Sequence, residues 1–334
     1  MAEARSDGTR FDVVGIGNAI VDVLAYAEEA ALAALGLAKG AMTLIDAREA
    51  ETLYARMGPA IECSGGSAAN TISGIASLGG STAFIGKVRD DQLGRVFRHD
   101  IRALGVHFET PAATSGPATA RCLVFITPDA QRTLETYLGA AVELGREDVD
   151  PALIGAAKVT YLEGYLWDPP RAKEAFLAAC EVAHGEGRKV ALSLSDPFCV
   201  DRHRAEFREL VAGHVDILFA NEQEIMALYE VASFDAALQA VRGMVEIAAL
   251  TRSAKGSVLL RDNEVHVIDA APVARVVDTT GAGDLYAAGF LYGLTHGRNL
   301  AACGRLGSLC AAEVIGHLGA RPERPLAELC APLL

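Results

Sequence analysis

The stretch Asp278-Thr279-Thr280-Gly281-Ala282-Gly283-Asp284, running on into Leu285-Tyr286-Ala287-Ala288-Gly289-Phe290, is where this sequence says most about its fold and chemistry. A turn of small residues leads straight into an apolar helix. Gly281 and Gly283 let the backbone approach a bound group closely. The first amides of the following helix have no internal partner, and the helix dipole favours an anion at that end. The segment Gly281, Ala282, Gly283 and Asp284 therefore suits a transferring phosphoryl group. Asp284 stands at the mouth of this anion hole, where a carboxylate can take the proton of an attacking hydroxyl. The helix terminus is expected to hold its pKa low. A loose phosphoryl-transfer transition state tolerates that, because positioning matters more than basicity. The plainer alternative, an aspartate that merely caps a buried helix, is common.

Working outward, short apolar runs recur along the chain. They are Phe11 to Gly17, Ser81 to Gly86, Val159 to Leu162, Val190 to Leu194, Asp216 to Ala220, Ile247 to Thr251 and Ser257 to Leu260. Most lack strict alternation, as expected for strands covered on both faces. Helical patterns at Arg171 to Gly185 and Ser233 to Val245 lie between some of them. The fold class predicted is α/β, a doubly wound, mostly parallel sheet with helices on both faces. Two segments, 22–62 and 107–138, break the pattern with strand-like pieces at Val21 to Tyr26, Ala41 to Ile45 and Ala118 to Ile126. They are expected to form a small β-rich lid inserted in one domain spanning 11–334, after a flexible tail at 1–10.

The 334 residues are 51% hydrophobic and 22% charged, the profile of a folded globular chain. A net charge of −13 argues against broad nucleic-acid or anionic-membrane binding. Seven cysteines without CxxC spacing read as reduced, packed thiols. No signal-peptide pattern or membrane-length apolar run is visible, so a cytoplasmic location is expected. Gly15-Ile16-Gly17 lacks the third glycine of a dinucleotide fingerprint. Gly80 to Lys87 has the wrong spacing for a P-loop.

The 278–284 stretch resembles the C-terminal signature of the ribokinase-like, or phosphofructokinase-B, kinases. Gly65-Gly66-Ser67-Ala68-Ala69-Asn70, running to Gly79-Gly80, is similar to that family's N-terminal glycine signature. Asn221-Glu222-Gln223-Glu224 is similar to its NxxE motif. The three stand in the family's order across roughly residues 11–325. The resemblance implies Asp284 as base, with an anion hole at Gly281 to Asp284. It implies ATP as co-substrate, with Asn221 and Glu224 organising Mg²⁺ and phosphate largely through water. NEQE also falls after a strand, at the sheet edge where open α/β sheets bind ligands. Mg²⁺ needs few protein ligands.

Gly17-Asn18-Ala19-Ile20-Val21-Asp22 leaves the first strand. The resemblance implies that Asp22 accepts hydrogen bonds from sugar hydroxyls. Gly65 and Gly66 would bring backbone close to the sugar, and Asn70 could add an amide contact. For Asn18 and Asp22 the alternative is simple turn chemistry. The stretches GNAIVDV, LSLSDPF (192–198) and VDILFANE (215–222) resemble adenosine kinases in particular. That implies Phe198 beside a nucleobase, where an aromatic neighbour is physically apt; the alternative is core packing. Near Gly164, animal adenosine kinases place a stacking aromatic where Leu166 stands here, with Tyr165 or Trp167 as substitutes. Arg132 either swings onto the phosphates as the lid closes or is a solvated loop residue. Thr251 and Gly256 match the stretch that borders ATP in relatives. The expected function is transfer of the ATP γ-phosphate to the 5′-hydroxyl of adenosine. The alternatives are a kinase of a free sugar or another nucleoside, and a non-catalytic nucleotide-binding protein. A monovalent-cation requirement and the choice between monomer and homodimer stay open.

Overall fold

The computed structural model describes residues 8–129 and 131–334. Its strands in chain order are β1 (Phe11–Ile16), β2 (Ile20–Tyr26), β3 (Met42–Leu44), β4 (Ile61–Gly65), β5 (Thr82–Ile85), β6 (Ala120–Ile126) and β7 (Arg132–Tyr137). They continue with β8 (Ala157–Glu163), β9 (Lys189–Ser193), β10 (Ile217–Asn221), β11 (Ile247–Thr251), β12 (Ser257–Arg261) and β13 (Glu264–Ile268). Eight of them form one sheet in the order β5-β1-β8-β9-β10-β11-β12-β13. Pairing is parallel from β5 through β11 and antiparallel for the last two. The other five form a second sheet in the order β3-β7-β6-β2-β4.

The large sheet is covered on both faces, and side-chain alternation sorts its residues between two cores. On β10, Ile217 and Phe219 face the helices Ser67–Ser77, Ala282–Thr295 and Leu300–Val314. Leu218 and Ala220 face the helices Pro170–Gly185, Pro197–His214 and Phe234–Val241. β1 is buried along its whole length and is apolar except for Asp12, which Lys158 Nζ meets at 3.1 Å. The doubly wound expectation holds.

The chain passes four times between the sheets, and two of these crossings meet, Gly17–Ala19 between β1 and β2 and Gly66 between β4 and the Ser67–Ser77 helix. Gly66 has φ of +97°, and a Cβ there would lie 2.2 Å from the Asn18 carbonyl oxygen. Only glycine lets the two crossings touch.

Several expectations need correction. Residues 1–7 of the expected tail lie outside the described residues, as does Ala130 in the Asp129–Arg132 stretch. Thr9 is fully buried, and Arg10 N–H donates to the Ala156 carbonyl at 2.7 Å, so the chain is already fastened ahead of β1. The 22–62 segment carries two helices, Glu29–Leu35 and Ala47–Tyr54, besides strand. The first segment of the second sheet begins at Ile20 and extends to Gly65. Residues 107 and 113 bridge Ala83 and Arg89, on and just after β5 at the edge of the large sheet, before the chain enters β6. Among the described residues no helix is long and apolar enough to cross a membrane.

Candidate active site

Asp284 lies in the first turn of the Ala282–Thr295 helix, which Gly281 starts with φ of +78°. Two side chains from the Ser67–Ser77 helix fix its carboxylate. Ser67 Oγ donates to Oδ1 at 2.6 Å, and Asn70 Nδ2 donates to Oδ2 at 2.9 Å. Burial pushes the Asp284 pKa up, while these two bonds and the charge of Arg321 pull it back. The expectation of a low pKa is therefore overturned: loss of water outweighs the helix terminus.

No side chain caps that helix. The Ala282 N–H turns back to the Thr279 carbonyl at 3.2 Å. The next amides, of Gly283 and Asp284, lack an i−4 partner inside the helix. A Cβ at Gly283 would meet nothing within 4 Å, so open space adjoins these amides. Of the four residues expected from sequence to form the anion hole, Ala282 has its amide turned inward.

The Glu222–Tyr229 helix begins in the opposite way. Asn221 Oδ1 accepts from Gln223 N and Glu224 N, both at 2.9 Å. Glu224 Oε2 accepts from Asn221 N at 2.8 Å, and its Oε1 accepts from Asn221 Nδ2 at 2.5 Å. This is a complete capping box. Burial raises the Glu224 pKa to about 7, with the two bonds from Asn221 pulling it back and Asp196 and Asp284 adding to it. Thr251, at the end of β11, pairs with Asn221 across the sheet. Gly256 has φ of +78°, and a Cβ there would sit 1.9 Å from the Ile268 carbonyl, so the β12–β13 approach itself demands glycine.

Asp22 sits on β2, and a Cβ at Gly65 would lie 2.3 Å from its Oδ2. The close approach that Gly65 permits is to this carboxylate. Burial lifts the Asp22 pKa to about 6, with Arg321 and Arg132 opposing and Asp284 adding. Asn18 is buried and gives its Nδ2 to Glu163 Oε1 at 2.7 Å. The buried Oδ1 atoms of Asn18 and Asn70 have no partner, and each offers an acceptor to a bound hydroxyl.

Arg132 is not a solvated loop residue. It opens β7, and its Nη2 lies 2.7 Å from Asp278 Oδ2, with both side chains 7% exposed. Asp278 also accepts from Thr280 N at 3.0 Å and Gly319 N at 3.1 Å. The second sheet is thereby fastened to the turn that precedes Asp284.

Residues 38–326 match the pfkB family of carbohydrate kinases. The chain belongs to that family. It is 54% identical to the adenosine kinase from Sinorhizobium meliloti, with a TM-score of 0.90, over 97% of this chain and 99% of that one. It is 52% identical to a probable sugar kinase from Rhizobium etli, with a TM-score of 0.91, over 98% and 100%. A 5-dehydro-2-deoxygluconokinase from Geobacillus thermodenitrificans is 28% identical over 75% of this chain and 78% of that protein. Phosphotransfer is thus common ground, while the acceptors named for these relatives differ.

Within this pfkB kinase the aromatic expectations separate. Leu166 is fully buried in the second core and presents no surface to a ligand, which corrects its assignment to the site. Trp167 is buried against Phe176 and Phe207, with its Nε1–H on Glu206 at 2.7 Å. Tyr165 is part-buried, and burial raises its phenol pKa with Asp196, Asp284 and Glu224 adding, so it lies in the carboxylate neighbourhood. Phe198 is 73% exposed at the first turn of its helix, so core packing does not explain it.

Two residues were missed from sequence. Glu163 ends β8, is 1% exposed, and accepts from Ala68 N at 2.8 Å as well as from Asn18. Burial raises its pKa to about 7. Its signal was a carboxylate closing an apolar run at the carboxyl end of a parallel strand, where such sheets bind ligands. Arg321 gives Nη2 to the Ser64 carbonyl at 3.0 Å and to Ser64 Oγ at 3.1 Å. Its Nη1 goes to the Ala69 carbonyl at 3.0 Å and to Ser73 Oγ. No local pattern around residue 321 announces this role.

Proposed function

We propose that this kinase transfers the γ-phosphoryl group of ATP to the 5′-hydroxyl of adenosine, giving AMP and ADP. The observation that carries the reading is the uncapped helix terminus beside a carboxylate held on both oxygens by Ser67 and Asn70. The acceptor hydroxyl gives its proton to Asp284 as its oxygen bonds to the γ-phosphorus. The bond from that phosphorus to the β–γ bridging oxygen breaks, and the amides of Gly283 and Asp284 meet the migrating charge. A carboxylate whose pKa is lifted by burial is a better base than a solvated one. Asp22 grips the ribose hydroxyls, with the free acceptors of Asn18 and Asn70 alongside. Phe198 and Tyr165 border the base. Arg132, held on Asp278, keeps the lid sheet over the reacting groups and excludes water. Asn221, Thr251 and Gly256 border the nucleotide.

Mg²⁺ fits the Glu224 end, where a buried carboxylate has the acidic neighbours Asp196 and Asp284. Glu224 would hold it largely through water, since Asn221 already occupies both carboxylate oxygens. Bound there, Mg²⁺ would neutralise charge on the transferring phosphates. Seven free cysteines, six of them buried, suit a reducing cytoplasm.

A free-sugar kinase is the second reading. It is favoured by the burial of Leu166, which leaves no stacking surface at that position. ADP release with Mg-ATP, measured across adenosine, inosine, guanosine, ribose and fructose, separates the two. Turnover confined to adenosine supports the first reading, and turnover on a free sugar replaces it.

A further inference from the structure

We propose that Arg321 is a positioning residue of the phosphoryl-transfer site, clamping the lid strand β4 to the helix that aims Asp284 and setting the field felt by both Asp22 and Asp284. The inference rests on the proposed roles of those two carboxylates. Its geometric basis is the junction that the guanidinium makes. One nitrogen binds Ser64 on β4, next to Gly65, whose backbone lies against the Asp22 carboxylate. The other binds Ala69 and Ser73 in the Ser67–Ser77 helix, one residue before and three after Asn70. That helix supplies both donors to Asp284. Asp100, from the Gln92–Ala103 helix, completes the junction by accepting from Ser64 N at 2.7 Å. The planar fork of arginine serves two elements at once, which a lysine ammonium on its single stem does less well. The Nε of Arg321 is enclosed without a partner, so the residue is held there at some cost in desolvation.

The charged groups around the junction are few. Arg321 faces Asp100, Asp22, Cys63 and Asp284. Asp22 faces Arg321, Arg132 and Asp284. Asp284 has Arg321 as its cation and Asp22, Glu163 and Glu224 as carboxylate neighbours. Removing that cation leaves Asp284 without one and Asp22 with Arg132 alone.

The test is the titration of the Asp22 carboxyl carbon by NMR, assigned with Asp22→Asn, in the wild type, Arg321→Gln and Arg321→Lys. The expected inflection rises by about one pH unit in the glutamine variant and stays near the wild-type value in the lysine variant. An unmoved inflection in Arg321→Gln overturns the proposal, whether or not the protein phosphorylates anything on the acceptor panel. The kinetic arm reads the clamp, with the acceptor chosen from that panel. Arg321→Lys keeps the charge but not the fork, so the acceptor KM should rise about tenfold with the acid limb of the pH profile in place. In Arg321→Gln that limb should shift upward as well. A purely structural arginine would lower the melting temperature and the active fraction but leave KM and the pH limb unchanged, and that result contradicts the inference. If Arg321→Gln does not fold, the lysine variant decides: wild-type KM in Arg321→Lys overturns the clamp.

Discussion

Two helices begin at the carboxyl edge of the large sheet, and each brings a carboxylate to the candidate site, but their first turns are built in opposite ways. At Asn221–Glu224 the four residues satisfy one another, amide by amide, in a capping box. At Gly281–Asp284 nothing in the turn caps the helix, and the carboxylate is held by residues more than two hundred positions away. A self-satisfied terminus is stable on its own and has little left to offer an anion. An uncapped terminus leaves amides unpaired, a cost that a bound phosphoryl group would remove. The contrast is the reason we propose the 281–284 end for the anion and a water-mediated, secondary role for Glu224.

Substitutions at each terminus test whether the two are built in opposite ways. The largest expected change in stability is at Asp278, which serves Arg132, Thr280 and Gly319 together. Asp278→Ala should cost about 3 kcal/mol, because it strands a buried guanidinium. Arg132→Met should cost less, since Asp278 keeps its two backbone donors. Urea unfolding of the two variants checks the order, and equal losses would remove the backbone bonds from the account. Next, Glu224→Gln should raise the Mg²⁺ needed for half-maximal turnover about tenfold. An unchanged Mg²⁺ titration removes Glu224 from the metal's surroundings. Asn221→Ala should lower stability by about 1 kcal/mol through loss of the cap. No equivalent cap exists at 281 to lose.

A further expected effect concerns pH. Glu163 has a folded-state pKa of about 7 against an ordinary 4.5, so the folded chain holds its proton more tightly. Its contribution to stability is complete below about 4.5 and is lost as pH rises through 7. The melting temperature of the unliganded protein should therefore fall over that window, with a shallower slope in Glu163→Gln. An identical slope in the variant would contradict the assigned burial.

The large sheet was legible because strands buried on both faces are mostly apolar, and β1, β5 and β8 to β12 all announce themselves this way. β13 did not, because Val265 and Val267 are exposed on an edge strand between polar neighbours. β7 reads Arg-Thr-Leu-Glu-Thr-Tyr, a half-polar strand that composition alone does not separate from a loop. At the site, the glycine turn and Asp284 were legible because close backbone approach demands particular residues at adjacent positions. Glu163 and Arg321 were not, because their partners come from other elements and only the fold assembles them. Leu166 was misplaced for a related reason: a one-residue step along a helical turn decides between core and part-exposed surface, and Tyr165 is the part-buried one.

The central claim is that Asp284 takes the acceptor proton while other groups bind the acceptor. Adenosine binding by calorimetry and ADP release, measured on the same preparations of wild type and Asp284→Asn, test it most directly. The account predicts turnover lower by about 10²–10⁴ with the dissociation constant changed only a few-fold. Near-wild-type turnover in Asp284→Asn would contradict it.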